Sequence, residues 1–216
     1  VQLKTGYTTG SSATAASKAA LLSIINQKKI EKIDILLPKR SYIQIPIHSC
    51  KFEIDGANCS VIKNGGDDPD VTHGAEIIVE LSFTEKINEI EIDGGEGVGI
   101  VTKPGLGLEI NKPAINPVPK KMIIENLREI GKEILLEKGI KLVISVPKGK
   151  ELGPKTDNPR LGIINGISIL GTSGIVIPFS TAAYAASIRQ NVDVAIAMGN
   201  DTVVLTTGGR SEDFAK

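Results

Sequence analysis

Ile77-Ile78-Val79-Glu80-Leu81, with Ile90-Glu91-Ile92 after it, closes a run from Lys32 to Asp93 in which apolar side chains recur at every second position. Ile33, Ile35 and Leu37 open the run, and Tyr42 to Ile47 and Phe52 to Ile54 continue it. Successive side chains of a strand point to opposite faces, so a period of two marks short strands with one face buried. Several such strands in succession predict hairpins and a largely antiparallel sheet. Upstream, Gly6-Tyr7-Thr8-Thr9-Gly10-Ser11-Ser12 reads as a turn rich in N-cap residues after a strand-like entry, and Ala13 to Gln27 reads as a helix. Its small residues Ala13, Ala15, Ala16, Ala19 and Ala20 suit close packing on a sheet, or a first turn whose amides face a ligand. Downstream, Pro117 and Pro119 lead into a helix over Lys120 to Lys138, with Ile123, Leu127, Ile130 and Ile134 on one face and Gly139 at the C′ position. A strand over Lys141 to Val146 is expected next.

Pro147 to Pro159 is polar and proline-bounded, and reads as a linker or domain crossing. Beyond it the texture changes. Gly162 to Val176 alternates β-branched residues with glycines, Ser180 caps a helix running to about Met198, and Thr202 to Thr206 is a short apolar strand. Asn191 to Ala197 also alternates like a strand, but Ala183, Ser187, Gln190, Val194 and Ala197 keep spacings of three and four, which favours helix. The expected class is therefore α/β. Residues 1–150 form an α+β domain with a mainly antiparallel sheet, and residues 151–216 a smaller Rossmann-like three-layer α/β domain, incomplete at its C-terminal end.

Lys and Arg (25) balance Asp and Glu (25), which leaves no basic footprint for sequence-independent phosphate binding. The absence of Trp, with three Tyr and four Phe, also argues against a base-stacking platform, so no nucleic-acid partner is expected. No apolar run approaches the roughly 18 residues of a membrane span, and residues 1–30 lack the pattern of a secretory leader. The reading is a cytoplasmic protein without a membrane partner. Cys50 and Cys59 are too few for a disulfide framework, although one pair remains allowed.

Three segments concentrate chemistry. Val61 to Gly74 contains Lys63, Asp67, Asp68, Asp70 and His73 among three glycines, a density of ionisable groups that marks either a site or a solvated turn. Its oxygen donors suit Mg²⁺ or Ca²⁺, but the spacing matches no calcium loop, and no resident metal is expected. Gly94 to Gly107, with Glu96 and Lys103, only superficially resembles a dinucleotide fingerprint, because Pro104 prevents the helix that such a motif needs. It reads as a glycine-rich hairpin or as a clamp presenting amides and Lys103 to an anion. Thr206-Thr207-Gly208-Gly209-Arg210 lies at the carboxyl end of an expected strand, where open α/β sheets place ligands.

Gly6 to Gly10, Gly66 to Thr72, Gly94 to Gly99 with Thr102 to Gly105, Ala114 to Pro119, Asn158 to Gly162, Gly166 to Thr172 and Thr206 to Arg210 follow one another as in a known family. Across nearly its whole length the chain resembles the cobalt-precorrin-5B C(1)-methyltransferases of anaerobic cobalamin synthesis. It departs from their pattern at Ser12, where a cysteine is usual, and at Asn64, Gly65 and Asn165; the family also continues beyond Lys216. The resemblance implies transfer of a methyl group from S-adenosylmethionine to C-1 of cobalt-precorrin-5B, giving cobalt-precorrin-6A. Such a displacement depends mainly on alignment and needs no strongly nucleophilic side chain. On this reading Gly171, Thr172, Thr206, Thr207, Gly208, Gly209 and Arg210 hold the cofactor. Tyr7, Thr8, Thr9, Gly10, Lys63, Asp67, Asp70, Glu96, Lys103 and Arg160 meet the macrocycle and its carboxylates. Asp68 or His73 serves as base for any accompanying proton loss. A homo-oligomer and transient contact with neighbouring pathway enzymes are compatible with it. The rival readings are a noncatalytic tetrapyrrole carrier and a nucleotide-dependent enzyme; the latter lacks a P-loop or a well-placed dinucleotide motif.

Overall fold

The computed structural model describes residues 3–215. Strand β1 (Gly6–Tyr7) is followed by helix α1 (Thr9–Asn26), strands β2 (Lys32–Leu36), β3 (Tyr42–Pro46), β4 (Ser49–Phe52), β5 (Gly56–Ile62), β6 (Glu76–Thr84), β7 (Ile90–Gly94) and β8 (Ile100–Val101). Helices α2 (Pro117–Ile130) and α3 (Lys132–Leu135) precede β9 (Gly139–Ser145), and α4 (Gly149–Leu152) runs into a 3₁₀ turn at Gly153–Lys155. The short strands β10 (Ile163–Ile164) and β11 (Ile175–Val176) and the helices α5 (Thr181–Ala197) and α6 (Arg210–Ala215) complete the described chain.

The main sheet has the order β4-β5-β6-β9-β7, antiparallel except for the β7–β9 pair. Directly opposed residues share a face, so the register carries the core across the sheet. One row runs Cys50, Cys59, Val79, Ile144; the next runs Ala57, Leu81, Leu142, Ile92. The expected antiparallel sheet is present. Strand β5 was not expected as a strand, because Ala57, Cys59 and Val61 are small apolar positions between Asn58 and Ser60.

Helix α1 lies on this sheet and against α2, and 15 of its 18 residues are buried. A helix hidden on nearly every side shows no amphipathic stripe, and alanines let backbones approach closely. It begins four residues before the expected start. Thr8 is its N-cap, with Oγ1 accepting from the Ser11 amide, so Thr9 to Ser12 form the first turn rather than a loop. The helix expected over Lys120 to Lys138 starts at Pro117 and breaks at Gly131, where a Cβ would strike the Leu21 side chain and the Leu127 carbonyl. Gly139, expected as its C′ residue, instead opens β9 opposite Thr84.

Past residue 146 the chain packs back onto the first half. Helix α4 and the 3₁₀ turn occupy Gly149–Lys155, and Gly149 meets Gly97 backbone to backbone with no room for a Cβ on either residue. Strand β10 pairs with β8, and β11 with β1. Helix α5 confirms the helical reading and Ser180 as its cap, but Val194 is its only buried residue. Val194 joins Val101, Ala114, Leu161 and Ile163 in a second, small core. Thr202 to Thr206, expected as a strand, is irregular and largely exposed. Among the described residues no neighbouring strand pairs with it, and unpaired backbone groups are better served by water than by an isolated extended segment.

Candidate functional site

Three chain segments converge on one cleft of about 180 Å³. The first is the start of α1, contributing Thr8 and Thr9. The second, contributing Lys63, Asp70 and Thr72, is the loop between β5 and β6. Thr156, Asn158, Ile167, Ser168, Leu170 and Val176 form the third wall.

Backbone contacts lock these walls together. The Tyr7 amide donates to Asn64 O at 2.8 Å, and the Tyr7 hydroxyl donates to Ile62 O at 2.9 Å. Gly66, at φ +66°, presses against the Lys4 and Thr5 backbone, where a Cβ would collide. On the opposite side Thr8 N donates to Gly174 O, Gly10 N donates to Leu170 O, and the Thr9 hydroxyl bridges to Ser168 O and Leu170 O. Gly171 fits over the Thr8 side chain for want of a Cβ. Asn158 donates from Nδ2 to Gly166 O and accepts from the Ser168 hydroxyl, which holds the third wall in shape.

Lys63 is only 2% exposed. Its ammonium meets Asp70 Oδ2 at 2.5 Å, and Asp70 Oδ1 accepts from the Thr72 amide and hydroxyl at 2.7 and 2.6 Å. Burial pushes the Asp70 carboxyl up; the Lys63 ammonium and the Thr72 hydrogen bonds overcome that and leave it below its ordinary value. Asp70 is thus held as a carboxylate, and its salt bridge to Lys63 forms the floor of the cleft.

The other expected site residues are distributed around it. Asp67 Oδ2 accepts from the Lys4 amide, and Asp68 Oδ1 accepts from the Phe179 amide at 2.9 Å, which ties the loop to the approach to α5. His73 accepts at Nδ1 from the Gly65 amide at 3.1 Å, so its neutral form carries the proton on Nε2. Thr172 is exposed beside Gly171. Thr206, Thr207, Gly208, Gly209 and Arg210 lead into α6 on an open surface, where the Cβ positions of Gly208 and Gly209 meet nothing. Arg160 reaches Glu212 of α6 at 2.9 Å and accepts at its carbonyl from the Lys103 ammonium. That linkage brings α6 to the turn that also carries Asn158.

In the Gly94 to Gly107 segment much of the glycine content serves backbone packing. The amides of Gly95, Val98 and Gly99 are spent on Ile144 O, Gly95 O and Ile167 O. Gly97 and Gly99 are small because Val146, Gly149, Ile163 and Gly166 pack against them. Glu96 is exposed, and its carbonyl accepts from Val146 N. Sequence reasoning missed Thr72, Asn158 and Ser168. Thr72 had a local signal in the Asp-x-Thr spacing from Asp70, while Asn158 and Ser168 reach the cleft only through tertiary packing. Ser12, where the family pattern has a thiol, donates to Thr8 O within the buried first turn of α1. No group of three or more His, Cys, Asp and Glu side chains suited to a metal occurs among the described residues.

Fold and cleft together define a mixed α/β protein with a small, largely apolar pocket that has a Lys–Asp pair at its floor and glycine-packed loops as walls. A family profile described as CbiD matches residues 1–178. A cobalt-precorrin-5B C(1)-methyltransferase of Geobacillus sp. strain WCH70 is 53% identical over 99% of this chain and 58% of its own length. Proteins of the same name from Geobacillus kaustophilus and Leptospira interrogans are 54% and 48% identical, with 57% and 58% of their lengths covered. The crystal structure of a cobalamin biosynthesis protein (cbiD) from Archaeoglobus fulgidus superposes with a TM-score of 0.61 at 31% identity, covering 99% of this chain and 66% of that one. The chain belongs to the CbiD family. It spans a little over half the length of the curated relatives it matches.

Proposed function

We propose that this chain serves S-adenosylmethionine-dependent methylation of cobalt-precorrin-5B at C-1, yielding cobalt-precorrin-6A. The observation that carries the reading is 48–54% identity, over 99% of the chain, to curated proteins of that name. When bound, the sulfonium cofactor supplies the methyl group; the residues here bind, orient and exclude water.

The macrocycle lies over the mouth of the cleft, against Tyr7 to Gly10 and the Asp67 to His73 loop, with Lys103 and Arg160 toward its carboxylates. A macrocycle is too large for a cleft of this volume, so the cleft itself receives a smaller group. Gly171 and Thr172, with Thr206 to Arg210, meet the nucleoside end of the cofactor. Asp68 is the better candidate base, because His73 Nδ1 is already an acceptor and its Nε2 carries the proton. The divided α+β and Rossmann-like organisation, cytoplasmic location and contacts with other pathway enzymes belong to the same proposal.

Incubation with cobalt-precorrin-5B and methyl-labelled S-adenosylmethionine tests it. Label in the corrinoid and a mass gain of one methyl group support the methyltransferase. Corrinoid binding without label would instead make the chain a carrier.

A further inference from the structure

The Lys63–Asp70 pair leaves an uneven remainder of hydrogen-bonding capacity. An ammonium has three donors, and Lys63 spends one, on Asp70. A carboxylate accepts about four bonds; Asp70 Oδ1 takes both Thr72 donors and Oδ2 takes Lys63, so Oδ2 retains one free acceptor position. Among the described residues nothing else in the protein meets the two remaining Lys63 donors. Both side chains line the cleft, and Lys63 is almost wholly withdrawn from bulk water. Unspent donors on a desolvated cation are costly unless a ligand uses them.

The charge of the surroundings selects the ligand. The cleft lining holds one ammonium, Lys63, and one carboxylate, Asp70, while Asp67 and Asp68 of the same loop accept from the Lys4 and Phe179 amides outside it. A simple anion would gain Lys63 but face Asp70, and a simple cation would gain Asp70 but face Lys63. A group with both charges on one short fragment satisfies both. Beyond the pair the cleft is apolar, with Ile167, Leu170 and Val176. We infer that the cleft binds the zwitterionic amino-acid end of the methyl donor, its α-carboxylate on Lys63, its α-ammonium on Asp70 and its aliphatic arm along Ile167, Leu170 and Val176. The inference rests on the proposed function and locates within it the end of the cofactor that the loops around Thr206 do not address.

Calorimetric titration of the 216-residue chain with three probes tests it: S-adenosylhomocysteine, its deaminated analogue, and 5′-methylthioadenosine, which lacks the amino-acid end. S-adenosylhomocysteine is expected to bind about ten- to a hundredfold more tightly than either of the others. Lys63→Met/Asp70→Asn, which neutralises both charges together, is expected to weaken S-adenosylhomocysteine by a similar factor and leave 5′-methylthioadenosine unchanged. Equal affinity for S-adenosylhomocysteine and the deaminated analogue overturns the placement, as does undiminished binding by the variant; the ligand series needs no variant to fold. Failure of the folded parent chain to bind S-adenosylhomocysteine at all sinks the cofactor reading itself.

Discussion

Lys63 and Asp70 each depend on the other as a buried partner. Removing one partner of a buried ion pair strands the other, at about 3–5 kcal/mol where both are fully buried. Asp70 keeps 22% side-chain exposure, so Asp70→Asn should fall near or below the lower end, and Lys63→Met at a comparable level, in urea unfolding. The pH dependence has a definite sign. A carboxyl whose folded-state pKa lies below its unfolded value contributes stability above the unfolded value and loses it as pH falls through the folded one. Parent stability should therefore fall on acidification below the ordinary aspartate range, and that component should be missing from Asp70→Asn. Thr8→Ala removes the α1 cap and should cost about 1 kcal/mol by the same measurement.

Between elements, one side chain does what a strand would otherwise do. Asn126 of α2, fully buried, accepts from the Leu36 amide at 2.8 Å and donates to the Leu36 carbonyl at 2.9 Å, docking the β2–β3 hairpin on α2. Asn126→Ala orphans both backbone groups, and thermal or urea unfolding should show a loss of about 1–3 kcal/mol for each. In the main sheet, Cys50 and Cys59 oppose one another as free, buried thiols. Burial, with the neighbouring Cys50, pushes the Cys59 thiol far above its ordinary range. Native protein should thus react with an aromatic disulfide reagent only slowly, at a rate that jumps on adding denaturant.

At the scale of the molecule, burial is uneven. The sheet, α1 and α2 share one continuous core, whereas Ile177, Phe179, Tyr184, Ile196, Val204, Leu205 and Phe214 are all more than half exposed. Segments with few buried contacts open at low free-energy cost. Limited proteolysis should accordingly cut first between residues 177 and 215 and leave a product that retains α1 and the main sheet, identifiable by mass; first cuts within β5 or β6 would contradict this. The β1–β11 pairing and the close packing of Gly149 on Gly97 explain why the product should keep residues up to about 176.

The period-two pattern of residues 32–93 and the 3.6-residue pattern after Pro117 were readable locally, because alternation and helical spacing are properties of neighbouring residues. So was the density of charge between Lys63 and His73. The early start of α1, the break at Gly131 and the strand β5 were not, since each depends on what packs against a small or neutral residue. Tertiary structure alone also decided that the glycines from Gly94 to Gly99 serve backbone packing, and that Asn158, Ser168 and Leu170 share a cleft with a lysine about a hundred residues earlier. The physical reason is common to both cases: a local pattern tells which face of an element seeks burial, but which groups meet there is set by long-range register and close backbone approach.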